Sequence, residues 1–369
     1  MKETKHLESY TFKNGLRLKN RFIMAPMTTQ MSFYNGVITE DEKRYYRMRA
    51  KDLGAVITAA ANVSDNGKGW DGELGVSDDK HIPGLRELAS TIQVNRTKAF
   101  LQLYHGGRMT HSSVLKGKQP VAPSPVKALR PDAEMPRKLD EEGIYQIIND
   151  FKDATIRAIK AGFDGIEIHG ANTYLLQQFF SPHSNRRTDA WGGSMEKRFR
   201  FIDLLVDEIT RVVQKHADQG FVVGYRFSPE EIEEPGIRFD ETLYLVDQLA
   251  GKAIDYLHVS LREWDAVSTH KDYQEKPMIA YLNEQIDGRT AFMTVGDIRT
   301  VANAESALKS SDLVALGRVL LADPNWGSKV VAGKEDFIHY QVAEEDKELL
   351  GLTGGVWDMM KNSMADRQK

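Results

Sequence analysis

The chain has 369 residues, 41% of them hydrophobic, and 49 basic against 53 acidic side chains leave a net charge of −4. The charges are mixed along the sequence, with no block that reads as a nucleic-acid arm, and cysteine is absent, which excludes disulfides, thiolate catalysis, cysteine-ligated zinc and iron–sulfur clusters. Met1-Lys2-Glu3-Thr4-Lys5-His6 leads into polar sequence and no apolar run approaches the roughly 20 residues that span a bilayer, so the expectation is a soluble cytoplasmic protein acting on small molecules, with no nucleic-acid, membrane or metal partner.

Tyr10-Thr11-Phe12-Lys13-Asn14-Gly15-Leu16-Arg17-Leu18 is a hairpin signal, because Asn-Gly supplies the positive φ values of a tight turn. Short apolar runs then alternate with amphipathic stretches. Strands are predicted over Arg21 to Met27, Ala55 to Ala61, Ala99 to Leu103, Gly162 to Ile168, Phe221 to Phe227, Ala253 to Ser260, Ala291 to Gly296 and Leu313 to Gly317. Between them lie helical patterns such as Glu141 to Lys160 and Met195 to Lys215, whose apolar residues recur at helical spacing. Strict alternation implies parallel strands, and eight repeats favour a closed (β/α)8 TIM barrel over a doubly wound sheet. The expected organisation is one domain over 1–369, with the hairpin at about 9–19, a proline-rich mouth loop at about 104–140 after the third strand, and a C-terminal tail from about 335.

Active sites in such barrels lie at the carboxyl ends of the strands, and those ends are polar here. The fourth strand runs into His169-Gly170-Ala171-Asn172-Thr173-Tyr174, three hydrogen-bonding side chains within one turn of chain. Gln102 and Arg226 are polar residues inside otherwise apolar strands. A buried guanidinium needs a partner, and two are open: Glu167 in a structural ion pair, or the electron-rich edge of a heteroaromatic ligand. Gly296-Asp297 and Gly317-Arg318 end the seventh and eighth strands, where barrels commonly cradle phosphate on backbone N–H groups, and Arg318 adds a charge-assisted contact. Gly67-Lys68-Gly69-Trp70-Asp71-Gly72 matches the dinucleotide fingerprint in letters, but it opens no helix and is read as a flexible surface loop.

Ser181-Pro182-His183-Ser184-Asn185-Arg186-Arg187-Thr188-Asp189-Ala190-Trp191-Gly192-Gly193-Ser194 resembles the signature loop of the Old Yellow Enzyme family of FMN-dependent oxidoreductases, and Ala25-Pro26-Met27-Thr28, Gln102 to Arg108 and Ala315 to Arg318 are similar to other blocks of that family. The likeness runs from about Leu7 to about Trp326, and Arg187 with Asp189 is read as a structural ion pair. The resemblance implies FMN reduced by NADH or NADPH, followed by hydride transfer to an activated C=C bond in a ping-pong cycle. It would set the flavin against Pro26, Met27 and Ala60, with Thr28 near its N5/O4 edge, Gln102 and Arg226 on its pyrimidine edge, and Gly296, Gly317 and Arg318 on its phosphate. His169 and Asn172 would bind the substrate's activating oxygen, and Tyr174 would be the acid.

Family members usually carry glycine where Thr173 stands, which puts the path of the backbone to Tyr174 in question. From the lack of cysteine and the short stretch after the eighth strand, the expectation is that the larger relatives' arrangement, with an iron–sulfur cluster and a second nucleotide domain, is absent. A phosphosugar isomerase or lyase on the same barrel is the alternative, and it expects a catalytic Lys or Glu at a strand end. The acceptor, the nicotinamide preference and whether the chain forms a homo-oligomer are left open.

Overall fold

A computed structural model describes residues 5–365, so the outermost parts of the expected 1–369 span lie outside the described residues. Eight parallel strands close on themselves: β1 (Phe22–Met24), β2 (Ala55–Asn62), β3 (Lys98–Tyr104), β4 (Gly165–Gly170), β5 (Val222–Phe227), β6 (Tyr256–Val259), β7 (Ala291–Val295) and β8 (Leu313–Leu316), with β8 pairing to β1 and β1 to β2. The barrel fold expected from the alternating pattern is thus observed. β1 is shorter than the predicted Arg21 to Met27 because Pro26 has no N–H to offer; the ladder ends with the Ala25 amide donating to the Leu316 carbonyl at 2.9 Å.

Helices follow the strands on the outside. In α3 (Glu141–Lys160) the Asp140 carboxylate caps the Gly143 amide, Glu141 and Glu142 meet the positive helix end, and Arg157 and Lys160 the negative one. Its face of Ile144, Ile147, Ile148, Phe151 and Ala158 is buried, in contact with α5 (Met195–His216) and β3. The excursion after β3 carries a short strand pair, Val121–Ala122 with Arg137–Lys138. Arg187 fastens it to the signature loop, bonding Asp189 bidentately at 2.9 and 2.7 Å and donating to the carbonyls of Pro123 and Leu139 at 3.0 and 2.6 Å.

Alternation along the strands creates two separate cores. Ile166 and Ile168 face the helices, within a large cluster that includes Leu101, Leu103 and Phe179. The barrel interior is a second cluster built from Ile23, Ile57, Phe100, Tyr256, Met293 and Leu313. Phe12 and Leu18 of the N-terminal hairpin (Tyr10–Thr11 paired with Arg17–Leu18) belong to this inner cluster and plug the end of the barrel away from the site, with the Phe12 ring 6.5 Å from Phe100 and 6.1 Å from Tyr256. Phe12→Ala is therefore expected to destabilise the fold by about 3–5 kcal/mol in chemical denaturation, whereas truncating the exposed Phe33 should change stability by no more than about 0.5 kcal/mol.

Candidate active site

Parallel pairing fixes which side chains meet at the carboxyl end of the barrel. Ala60 on β2 is level with Gln102 on β3, Gln102 with Glu167 on β4, and His169 with Arg226 on β5 and, beyond it, His258 on β6. The Glu167 carboxylate is fully buried and met by three donors: Gln102 Nε2 at 2.7 Å, His258 Nδ1 at 2.8 Å and the Tyr256 hydroxyl at 3.1 Å. Burial by itself would raise its pKa, but His258, Arg226 and the Gln102 bond hold the group below the usual carboxylate range. Gln102 gives an amide hydrogen to Glu167, and its carbonyl oxygen accepts from no donor among the described residues.

The direct Arg226–Glu167 ion pair offered by the sequence does not form. Arg226 Nη2 donates instead to the Ser260 hydroxyl at 3.0 Å, and Arg226 Nε is buried with no partner. The register of β4 and β5 sets Arg226 beside His169, one step further along the strands than Glu167, and closer donors have already filled the carboxylate. Of the two readings for Arg226, a partner outside the protein is the one its geometry leaves room for.

The three side chains at the carboxyl end of β4 are each positioned by their neighbours. His169 Nδ1 accepts from the Ala171 amide at 3.2 Å, so the ring proton resides on Nε2. The ring is kept neutral, because burial and the charges of Arg226 and His258 push its pKa well below the ordinary range. Ser260 accepts from Arg226 and must therefore give its own hydrogen to Asn172 Oδ1, at 3.0 Å, which leaves Asn172 Nδ2 as a donor. The Tyr174 ring packs edge-on to His169 at 5.0 Å and to Tyr104 at 4.9 Å. Its hydroxyl is pushed up to about 12 by burial and by Glu73, so it stays protonated throughout the physiological range.

Asn172 and Thr173 both take left-handed conformations, with φ of +55° and +65°. Thr173 thus adopts the backbone shape that a glycine would favour, and the turn to Tyr174 is held by Gln177 Oε1 accepting from the Thr173 amide at 3.0 Å and by Gln178 Nε2 donating to its carbonyl at 2.6 Å. This is how a β-branched residue is tolerated at the position the sequence put in doubt.

Two further groups shape the site and escaped the sequence reading. The Gly67-to-Gly72 segment is fastened down, not loose: buried Glu73 Oε2 accepts from the Gly69 amide at 2.7 Å, the Trp70 amide at 3.2 Å and the Tyr104 hydroxyl at 2.7 Å. Trp70 is thereby held 5.5 Å from Tyr104 and 6.4 Å from Tyr174, ring to ring. Glu42 on α1 (Glu40–Arg49) accepts from Thr29 at 2.6 Å and Ser32 at 2.5 Å, which fixes the loop carrying Thr28. No periodicity signals either carboxylate. A polar residue near the start of a helix or in a glycine-rich loop looks solvent-exposed until the loops are folded over it.

From Arg226 round to the first strand, Pro26, Met27, Arg226, Gly296, Gly317 and Arg318 line one cavity of about 260 Å³. Six of the nine residues expected around a flavin thus share a single space; Ala60 and Gln102 do not line it and lie level with one another on β2 and β3, and Thr28 borders an adjoining cavity of about 380 Å³. Val356 and Met359 of the C-terminal helix (Gly355–Ala365) line this second space, a contribution from the expected tail that no motif announced. A Cβ on Gly317 would meet nothing closer than Met27 Sδ at 3.7 Å, so its backbone is open to the cavity. Gly296, with φ +141°, is required by the main chain of Glu263 and Trp264, which would lie 2.6 Å from a Cβ there. Arg318 Nη2 bonds Asp297 at 2.7 Å while its Nη1 is buried without a partner. Two orphaned guanidinium nitrogens around a cavity with an open glycine suit an anionic, ring-bearing ligand such as FMN.

Relief of left-handed strain in Thr173→Gly is expected to leave stability unchanged or raise it by up to about 1 kcal/mol, and a larger loss in urea unfolding would contradict the strain. Burial holds the Glu73 proton up to about pH 8 against an ordinary 4.5. The folded chain then binds more protons than the unfolded one across that window, and stability falls as pH rises through it. Glu73→Gln should flatten the dependence of Tm on pH between about 5 and 8.

The family profile described as NADH:flavin oxidoreductase / NADH oxidase matches residues 8–336. An NADH:fumarate oxidoreductase of Klebsiella pneumoniae is 42% identical over 355 residues, 95% of this chain and 38% of that protein, so the chain spans little more than a third of that relative's length. An NADPH dehydrogenase of Clostridium acetobutylicum is 35% identical and covers 87% of this chain and 92% of its own length. Morphinone reductase, solved in complex with tetrahydroNAD, superposes with a TM-score of 0.78 at 28% identity, covering 95% of this chain and 94% of that one. With the profile spanning most of the barrel, the chain belongs to the NADH:flavin oxidoreductase / NADH oxidase family, the Old Yellow Enzyme family whose motifs its sequence carries.

Proposed function

We propose that this chain is an NAD(P)H-dependent FMN oxidoreductase of Old Yellow Enzyme type that reduces alkenes activated by a carbonyl or nitro group. The observation that carries the reading is the set of three unspent hydrogen donors at the end of β4, His169 Nε2, Asn172 Nδ2 and the Tyr174 hydroxyl, next to Arg226 with its orphaned Nε, at a mouth that Arg318 with its orphaned Nη1 also borders. The names of the Klebsiella and Clostridium relatives support a nicotinamide donor, and fumarate is itself an activated alkene.

FMN, when bound, supplies the redox chemistry, taking hydride from the nicotinamide in one half-reaction and delivering it to the acceptor in the next. The chain's part is placement and charge. Arg318 and the open backbone at Gly317 would hold the phosphate, and the unspent Gln102 carbonyl and Arg226 guanidinium would hold a ring edge that presents both a donor and negative charge. Met27, Pro26 and Ala60 supply apolar surface, and Thr28 a hydroxyl, beside that ring.

His169 and Asn172 then bind the activating oxygen of the acceptor, on which negative charge collects as the β-carbon is reduced. Each such donor is worth on the order of 10²–10³ in rate. The neutral state of His169 matters, for it makes the ring a fixed N–H donor that neither carries nor loses charge with pH. Tyr174 gives its proton to the α-carbon. The isomerase or lyase alternative loses its candidate base, because three donors hold Glu167 inside the barrel.

Tyr174→Phe tests the assignment by half-reaction. Reduction of the bound flavin by NADH or NADPH in anaerobic stopped flow should be preserved, while reoxidation by an enone should slow by about 10²–10⁴. Equal losses in the two steps would remove Tyr174 from the role of acid.

A further inference from the structure

The geometry points to a second binding feature at the rim of the same mouth: a lysine-walled pocket that receives the phosphate-bearing half of the nicotinamide dinucleotide. This deepens the oxidoreductase reading above and rests on it. The pocket has a volume of about 360 Å³ and lies between three loops of the catalytic face, those following β1, β2 and β3.

Lys68, Lys80, Lys116 and Lys118 line it against Asp65 and Asp71, a formal excess of two positive charges. Two of the lysines are engaged: Lys68 donates to the Tyr34 carbonyl and stands 3.5 Å from Asp71, and Lys80 is 3.8 Å from Asp78. Lys116 and Lys118 are exposed and have no ion-pair or side-chain hydrogen-bond partner among the described residues. Their turn is nonetheless ordered, with the Gly117 amide donating to Ser112 at 2.8 Å and the Lys118 amide to Leu115 at 3.1 Å. With Asp71 answering Lys68 and Asp78 answering Lys80, Lys116 and Lys118 are opposed in the lining only by Asp65, and ammonium groups in excess around a concave space form a receptor for phosphate oxygens.

The location selects the ligand. FMN's own phosphate is accounted for at Gly317 and Arg318, between the last two strands, while the lysine pocket borders the second and third. Lys68 and Asp71 of the glycine-rich Gly67-to-Gly72 segment form part of its wall, and between them in sequence stands Trp70, whose ring is 6.4 Å from that of Tyr174. A molecule with one ring against Tyr174 and His169 that extends past Trp70 enters the pocket with whatever it carries next. A reduced nicotinamide has that form: the hydride-bearing ring at one end, a pyrophosphate beyond it, and a further 2′-phosphate in NADPH. The segment that imitates a dinucleotide fingerprint in letters would thus serve a dinucleotide by another route, through the lysine it presents and the tryptophan it fixes.

The test uses the FMN-loaded enzyme and the double variants Lys116→Ala/Lys118→Ala and Lys116→Glu/Lys118→Glu, at surface positions that carry no packing. Flavin reduction is followed in anaerobic stopped flow with NADH, NADPH and 1-benzyl-1,4-dihydronicotinamide, which carries the reactive ring and no phosphate. Charge reversal is expected to raise the apparent Kd for NADH and NADPH by about tenfold or more, with the limiting rate unchanged and the benzyl donor unaffected. Added salt should weaken dinucleotide binding to the native enzyme more than to the reversed variant. Unchanged dinucleotide affinity in both variants, or an equal loss with the benzyl donor, would overturn the pocket assignment while leaving the oxidoreductase reading intact. Failure of all three donors to reduce the flavin of the native enzyme would instead remove the oxidoreductase reading and this inference with it.

Discussion

Closure of eight parallel strands in one register is the constraint from which the site descends. Once β1 pairs with both β8 and β2, every inward side chain has a fixed height and fixed neighbours. That single condition sets Gln102 beside Glu167 and His169 beside Arg226. The apolar inner cluster, plugged from below by Phe12 and Leu18, leaves the opposite end of the barrel as the one place where polar side chains can accumulate. A one-residue slip of β4 would send His169 into the helix layer and bring Ile168 into the mouth.

Buried charge is managed by exhaustion of partners. Glu167 takes three donors and stays ionised, which fixes the amide of Gln102 and withholds the carboxylate from Arg226. Arg226 then binds Ser260, Ser260 binds Asn172, and Arg226 Nε and Asn172 Nδ2 are left without a partner among the described residues. Glu73 plays a corresponding part in the loops as a protonated group, where one carboxyl oxygen holds Gly69, Trp70 and Tyr104 together. In each case the protein spends the hydrogen-bonding capacity on its own side, and what is left over defines what the site can bind.

Most of the barrel was legible along the chain. Strand and helix alternate with different periods, and the polar residues that break the inner period, Gln102 and Arg226, are visible for that reason. The signature loop and the His169-to-Tyr174 run were legible as motifs. Strand ends were read less well: β1 stops before Pro26, and β4 begins only at Gly165 because the chain is still turning at Gly162, where φ is +83°. Glu73, Trp70, Glu42 and the C-terminal Val356 and Met359 gave no local signal, since each acts on residues distant in sequence.

The order of the amino acids determined the fold class, the family and the identity of the polar groups at the strand ends, because periodicity and short motifs depend only on near neighbours along the chain. Tertiary structure alone decided which of those groups are spent and which are free. Whether Arg226 pairs with Glu167, which nitrogen of His169 keeps its proton, and whether Thr173 can hold a glycine's conformation all depend on what other strands and loops bring within hydrogen-bonding distance. A hydrogen bond is decided within about 3 Å, and no spacing along a sequence encodes which distant residue will arrive there first.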